Sequence, residues 1–171
     1  MRKIAIIRAG GQTGADRGGL DAARECGVPI VGWCPANGLA EDLTSAPGLL
    51  TSYPELVETE SAGYIERTGL NVRDSHATLI VAPDGLEPNS GTAMTVDFAH
   101  EYKRPVLVVR GAEELPAVES WLSSLGDGIT LNIAGPRSSK CPRAYGETKT
   151  LVVQLLNIQV PDCRGLGDRA V

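Results

Sequence analysis

Short apolar runs rich in β-branched residues alternate along this chain with longer segments whose apolar positions recur every three or four residues. Ile4 to Ile7 runs into Gly10 and Gly11, and Leu20, Ala23 and Cys26 follow at helical spacing, which predicts a strand, a glycine turn and a helix. Val28 to Trp33 reads as a second strand, with Pro29 marking its beginning or an edge position. Pro35 to Leu56 sustains no period and predicts a long loop with one short helical turn; loops of that length in compact domains commonly serve function. Ser61 to Arg73 predicts a helix with Tyr64, Ile65, Thr68 and Val72 on one side.

The second half repeats the alternation. Thr78 to Ala82 is a continuous apolar strand, followed by a Pro/Asn/Ser loop and a helix from Thr92 to Tyr102. Val106 to Val109 and Thr130 to Ala134 are further strands, separated by a helix over Glu113 to Leu125 centred on Val118 and Leu122. A final helix, Tyr145 to Ile158, carries Leu151, Val152, Leu155 and Leu156 on one stripe. Strands separated by helices need crossover connections. The order therefore implies an α/β domain, a three-layer sandwich with a mostly parallel sheet of five or more strands covered on both faces. With 171 residues, one domain is expected over 1–158, with 159–171 as a loosely held tail.

Composition narrows the function. Hydrophobic residues make up 42% and charged residues 22%, values ordinary for a globular chain. The first apolar run stops at Arg8, too short for a signal or a membrane span, so a cytoplasmic protein with no membrane partner is expected. Cys26, Cys34, Cys141 and Cys163 form no CxxC pair and read as reduced thiols. A net charge of −5 opposes a nucleic-acid partner, because the whole-molecule field repels a polyphosphate. A small anion held by backbone N–H groups and an arginine is compatible with it.

Three strands end in loops of similar chemistry: Gly10-Gly11-Gln12-Thr13-Gly14, Asn89-Ser90-Gly91-Thr92 and Gly135-Pro136-Arg137-Ser138-Ser139-Lys140. In a doubly wound sheet all three stand on one rim, where ligands bind outside the carboxyl ends of the strands. Glycines admit a ligand close to the backbone, and the first turn of each following helix favours an anion. The bland reading of any single loop is a tight turn before a capped helix, and Thr13-Gly14-Ala15-Asp16 fits the Thr-x-x-acid capping pattern. No Gly-Lys-Ser/Thr follows these loops, and Gln12 stands where GxGxxG needs glycine, which speaks against ATP hydrolysis and ordinary NAD binding.

The segments GGQTGADRGGLDAA, GWCP with AED, IERTGLNVRDS before TLIVA, SGTAMT and NIAGPRSSK occur in that order over roughly residues 4 to 156. Together they resemble the molybdenum-carrier family, which is similar to the molybdenum cofactor carrier protein of algae and, more distantly, to LOG-type lysine decarboxylase-like proteins. The resemblance implies a Rossmann-like fold, a homo-oligomer, and a small phosphorylated partner: the molybdenum cofactor or a purine nucleotide, with magnesium as an accompanying ion. It places binding residues at Gly10, Gly11, Gln12, Thr13, Gly14 and Asp16, at Asn89, Ser90, Gly91 and Thr92, and at Gly135, Pro136 and Arg137. Arg73 and Asp74, with Asn71, precede the central strand and are expected near the same crevice. Arg73 and Arg137 would offer forked donors to phosphate and Trp33 a face to a flat ring. Structural readings stand beside these: ion pairs of the arginines with Asp16, Asp42 or Asp74, and a core position for Trp33.

The sequence also departs from the family pattern. Arg8-Ala9 stands where Ser-Gly is expected, and Ala36-Asn37-Gly38-Leu39 where the loop is often basic. The LOG signature PGGxGTxxE is half present, since Thr95 replaces its glutamate, which weakens a ribosyl-bond hydrolase. Asp16 and the Glu41-Asp42 pair are left as acids, bases, magnesium contacts or caps. His76 and His100 have no partners at metal-ligand spacing, and no metal site is expected from them. Cys34 and Cys141 are either soft ligands to molybdenum or inert buried thiols. The function these readings favour is a carrier that shields a phosphorylated pterin or related nucleotide, with the Pro35 to Leu56 loop as a lid. The alternatives are an enzyme cleaving a glycosidic or phosphate ester bond with Asp16 or Asp74 as acid or base, and a nucleotide-sensing domain.

Overall fold

The computed structural model describes residues 3–159; Cys163 and the predicted tail beyond Gln159 lie outside them. Six parallel strands form one sheet in the order β3-β2-β1-β6-β4-β5. In chain order they are β1 (Ile4–Arg8), β2 (Ile30–Cys34), β3 (Leu56–Glu58), β4 (Ala77–Val81), β5 (Val106–Val109) and β6 (Ile129–Ala134). The helices are α1 (Ala15–Glu25), α2 (Leu49–Ser52), α3 (Tyr64–Arg73), α4 (Gly91–Glu101), α5 (Leu115–Ser123) and α6 (Ala144–Gln159). The α/β sandwich is thus as the alternation implied, with one strand more than the five that the pattern located. The addition is β3, three residues of which only Leu56 is buried, too short to show a period.

The central strands are the buried ones, and β4 is covered along its whole length. One face of the sheet carries α1 packed along α6, with α5 beside them; the other carries α3 packed on α4. Gly18 and Gly19 make the first of these layers close: a Cβ on Gly18 would meet the backbone of Tyr145, and one on Gly19 the side chain of Ile133. These two glycines serve helix packing rather than a ligand. On α3, Val72 and Thr68 turn inward while Ile65 is 54% exposed, so the predicted apolar side is only half right. The covering helices change face between β6 and β4, which leaves a crevice at the carboxyl ends of those strands. Lys3 lines a shallow groove with Leu155 and Ile158, so the described chain begins and ends at one place. Among the described residues no helix is long and apolar enough to cross a membrane.

Candidate ligand-binding site

A cavity of about 730 Å³ opens at the crevice, within the range of small-molecule sites. It draws on the three glycine-containing loops together: Gly10 and Gln12 after β1, Asp84 to Thr92 after β4, and Gly135 to Arg137 with Lys140 and Cys141 after β6. Its inner half runs between α3 and α4. Tyr64, Thr68 and Asn71 contribute one stripe of α3 at helical spacing, with Arg67 of the same helix reaching the β1 loop at the rim; Gly91, Thr92 and Thr95 give the first turns of α4, and Asn132 of β6 lines the same cavity.

The rim is rich in hydrogen-bond donors, and a buried ion pair organises it. Asp16, which is 3% exposed, accepts from Arg67 Nη1 at 3.0 Å and from the Gln12 N–H at 3.3 Å. Burial is the largest influence on Asp16 and raises its proton affinity, while Arg67 and the N–H groups of Gln12 and Gly10 pull it down. The Arg67 guanidinium lies against Gly10, where a Cβ would collide with it. Its Nε is buried without a partner and is a donor still to be satisfied. Asp16 is the one buried carboxylate among the described residues, and this arrangement spends it on positioning Arg67.

The loop after β2 is latched over the loops of β1 and β6 through its two acids. Glu41 accepts from the Thr13 hydroxyl and, at 2.5 Å, from the Ser139 hydroxyl; it also accepts from the Ser139 N–H at 3.2 Å and lies 3.7 Å from Arg137 Nε. Burial opposes its charge most strongly, yet the hydrogen bonds from Ser139 and Thr13 outweigh that and hold its carboxyl below the usual glutamate value. Asp42 takes a two-pronged contact from Arg17, 2.6 Å on each prong. The side-chain oxygen of Gln12 accepts from the Glu41 N–H at 3.0 Å and so ties the same loop from below.

Several sequence-predicted residues do other work. The Thr13 capping box does not form: α1 starts at Ala15 with Gly14 at its cap position, Thr13 is turned to Glu41 and Ser138, and Asp16 to Arg67. Gly14 has φ +81°, and a Cβ there would strike the carbonyl oxygen of Pro136, so this glycine joins the β1 and β6 loops. Gly11 packs against Leu49 and Leu56, and neither it nor Thr13 nor Gly14 lines the cavity. Ser90 caps α4, accepting from the Ala93 N–H at 3.1 Å. Trp33, Arg73 and Asp74 lie outside the lining and are bonded together, Trp33 Nε1 to Asp74 Oδ2 at 2.8 Å and Arg73 Nε to Asp74 Oδ1 at 2.7 Å. Asn71 accepts from the Trp33 N–H and donates to the Trp33 carbonyl, taking the place of a strand where β1 has ended.

Arg8 is partly buried in β1, its Nε without a partner, and burial lowers its proton affinity against the pull of Asp74. Cys34 is buried, and burial first, then Glu58, pushes its thiol to about 11. Cys141 lines the cavity wall with its thiol pushed up by burial and by Asp84. Both are thiols rather than thiolates near neutral pH. No cluster of three or more His, Cys, Asp or Glu suited to a metal ion occurs among the described residues.

The sequence reading missed Arg67, Thr68, Asn132, Thr95 and Tyr64 as lining residues. The available signal was the polar period at positions 64, 67, 68 and 71 of α3, and Asn132 and Thr78, paired in register on neighbouring buried strands.

Residues 7–156 match the family described as circularly permutated YpsA SLOG. The chain is also similar to a solved structure, that of a "Putative molybdenum carrier protein" from Syntrophus aciditrophicus, with 38% identity over 90% of this chain and 96% of the other at a TM-score of 0.79. No curated protein matches the chain.

Proposed function

The chain belongs to the circularly permutated YpsA SLOG family, and from that premise we propose that it holds a phosphorylated pterin or nucleotide as a carrier, without transforming it. The molybdenum cofactor is the favoured cargo, a reading supported by the similarity to the Syntrophus protein. The carrying observation is the rim of the cavity, where Arg67, kept in place by buried Asp16, meets the backbone of the β1, β4 and β6 loops. Phosphate oxygens fit this set: the Arg67 guanidinium in the lining, Lys140 and Arg137 nearby, and the start of α4.

In this reading the ring enters between α3 and α4, and molybdenum is cargo held through its organic frame rather than by protein ligands. The Glu41 and Asp42 contacts keep the 36–43 segment over the β1 and β6 loops, limiting water access from that side. Holding rather than turnover is favoured because Asp16 is engaged by Arg67, while Asp84 is an exposed partner of Arg143 at 2.6 Å. Native mass spectrometry of anaerobically purified protein tests this, with the released ligand fragmented and molybdenum counted. A retained phosphorylated pterin or nucleotide at one per chain is expected. A chain that neither retains nor takes up such a compound, or one that consumes it on incubation with magnesium, would overturn the carrier reading.

A further inference from the structure

The two halves of the cavity differ in hydrogen-bond polarity. Donors crowd the rim, but two threonines of the inner half, Thr68 and Thr95, have their hydroxyl protons already committed. Thr68 Oγ1 donates to the Tyr64 carbonyl at 2.7 Å, and Thr95 Oγ1 to the Gly91 carbonyl at 3.1 Å, each back along its own helix. Both threonines are more than nine-tenths buried, at 7% and 3% exposure. What they still present is an acceptor lone pair. Asn132, 2% exposed, donates from Nδ2 to Thr78 Oγ1 at 3.2 Å and keeps its side-chain oxygen unpaired. Asn71 contributes no such acceptor, because its oxygen is taken by the Trp33 N–H at 2.8 Å.

We infer that the inner half selects a ring bearing a lactam N–H beside an exocyclic amine, the guanine or pterin pattern, whose N–H groups are received by Thr68, Thr95 and Asn132. This deepens the carrier reading and rests on it. Three buried acceptors call for three ring hydrogens, and a lactam N–H with a neighbouring amino group supplies three. Adenine's amine supplies two and hypoxanthine's lactam one, so the first leaves one desolvated acceptor unmet and the second two. The second Nδ2 hydrogen of Asn132 remains for the lactam oxygen. Specificity thus comes from Thr68, Thr95 and Asn132 together.

Calorimetric titration of the full chain with guanosine, inosine and adenosine 5′-monophosphates tests it. The guanine nucleotide should bind at least about tenfold more tightly than the inosine nucleotide, which lacks the amine and leaves two acceptors unmet. Thr95→Val and Asn132→Leu should each pull that ratio toward one by weakening the guanine nucleotide more than the inosine nucleotide; Thr68→Val provides the same readout from the other helix. Comparing neopterin monophosphate with its 2-deamino counterpart repeats the test on the pterin frame. Equal affinities within both pairs, on unaltered protein, overturn the selection and leave the phosphate reading standing. Absence of binding by all of these compounds overturns the carrier reading itself, and this inference with it.

Discussion

Arg67 Nη1 stands 3.0 Å from Asp16 Oδ2, so that α3 is tied to the start of α1 by a pair whose side chains are 14% and 5% exposed. The contact does two things at once. It gives a counter-charge to a carboxylate whose proton affinity burial raises, and it fixes the cation that borders the cavity.

Arg67→Ala should therefore weaken binding of a phosphorylated ligand by roughly ten- to hundredfold, the worth of a charge-assisted hydrogen bond. Arg73→Ala should change affinity less than about twofold, because Arg73 is exposed, paired with Asp74 and outside the lining. Calorimetric titration of both variants decides it: an equal loss in both, or a loss confined to Arg73→Ala, would refute this assignment of the rim cation.

Removing the other partner has a different signature. Asp16→Ala leaves the Arg67 charge buried and unpaired, which should cost about 3–5 kcal/mol of stability. Urea denaturation measures this, and a loss under about 1 kcal/mol would mean that the guanidinium readily finds water or another partner.

The division between legible and illegible residues follows from the same geometry. The strand expected at Thr78 to Ala82 is found as β4, since a parallel strand buried along its whole length shows as an uninterrupted apolar run. The three glycine loops were legible as a set, because glycine and small polar residues after an apolar run punctuate a βα unit wherever it occurs. Arg67 was not: the side of the helix read from Tyr64, Ile65, Thr68 and Val72 leaves it out, and only the packing of α3 over the end of β1 sets that arginine against Gly10. Arg73, seven positions from Glu66 and one from Asp74, looked equally suitable in sequence, yet lies at the opposite end of α3, away from the rim. Asn132 was hidden in its strand, where a polar residue breaks the apolar run without revealing which face it takes.

The Glu41 latch should be sensitive to acid. Its carboxyl is held below the ordinary value of 4.5, so the native state binds the proton less readily than the unfolded one. The latch's contribution is then complete above about pH 4.5 and is lost as pH falls through the depressed folded value. Hydrogen exchange of the segments containing Thr13 and Ser138-Ser139 should be slow at pH 6 and faster, after correction for intrinsic rates, near pH 3.5. Glu41→Gln should remove this pH dependence, and an unchanged profile in that variant would show that another group controls the loop.

Gly14→Ala should damage fold and site together. The position has φ +81°, and its Cβ would run into the Pro136 carbonyl. Backbone strain alone costs about 1–2 kcal/mol, and separation of the β1 and β6 loops adds to it. Denaturant titration and ligand titration of the variant should show both losses. Wild-type stability would mean that the two loops yield without cost.

The chain's connectivity offers the last test. Lys3 shares a groove with Leu155 and Ile158, while the loop Gly126-Asp127-Gly128 has open space at both glycines. A chain running 128–159, a short glycine-rich linker and then 3–126 would begin with β6 and pass directly into β1. Numbered in that new order, the unchanged sheet reads 4-3-2-1-5-6, which winds outward from its first strand and then resumes on that strand's other side. The long α5 crossover from β5 back to β6 disappears, and the crevice between β6 and β4 becomes the place where winding changes direction. The site needs only that its three loops keep their places on the sheet. The rearranged protein should therefore fold within about 3 kcal/mol of the parent, the scale on which loop-closure terms change, and bind the same ligand. Circular dichroism, urea denaturation and ligand titration read these outcomes. A folded but non-binding product would show that the crossover itself, with the Lys3 to Asp127 contact at 3.4 Å, sets the spacing of the β6 and β4 loops.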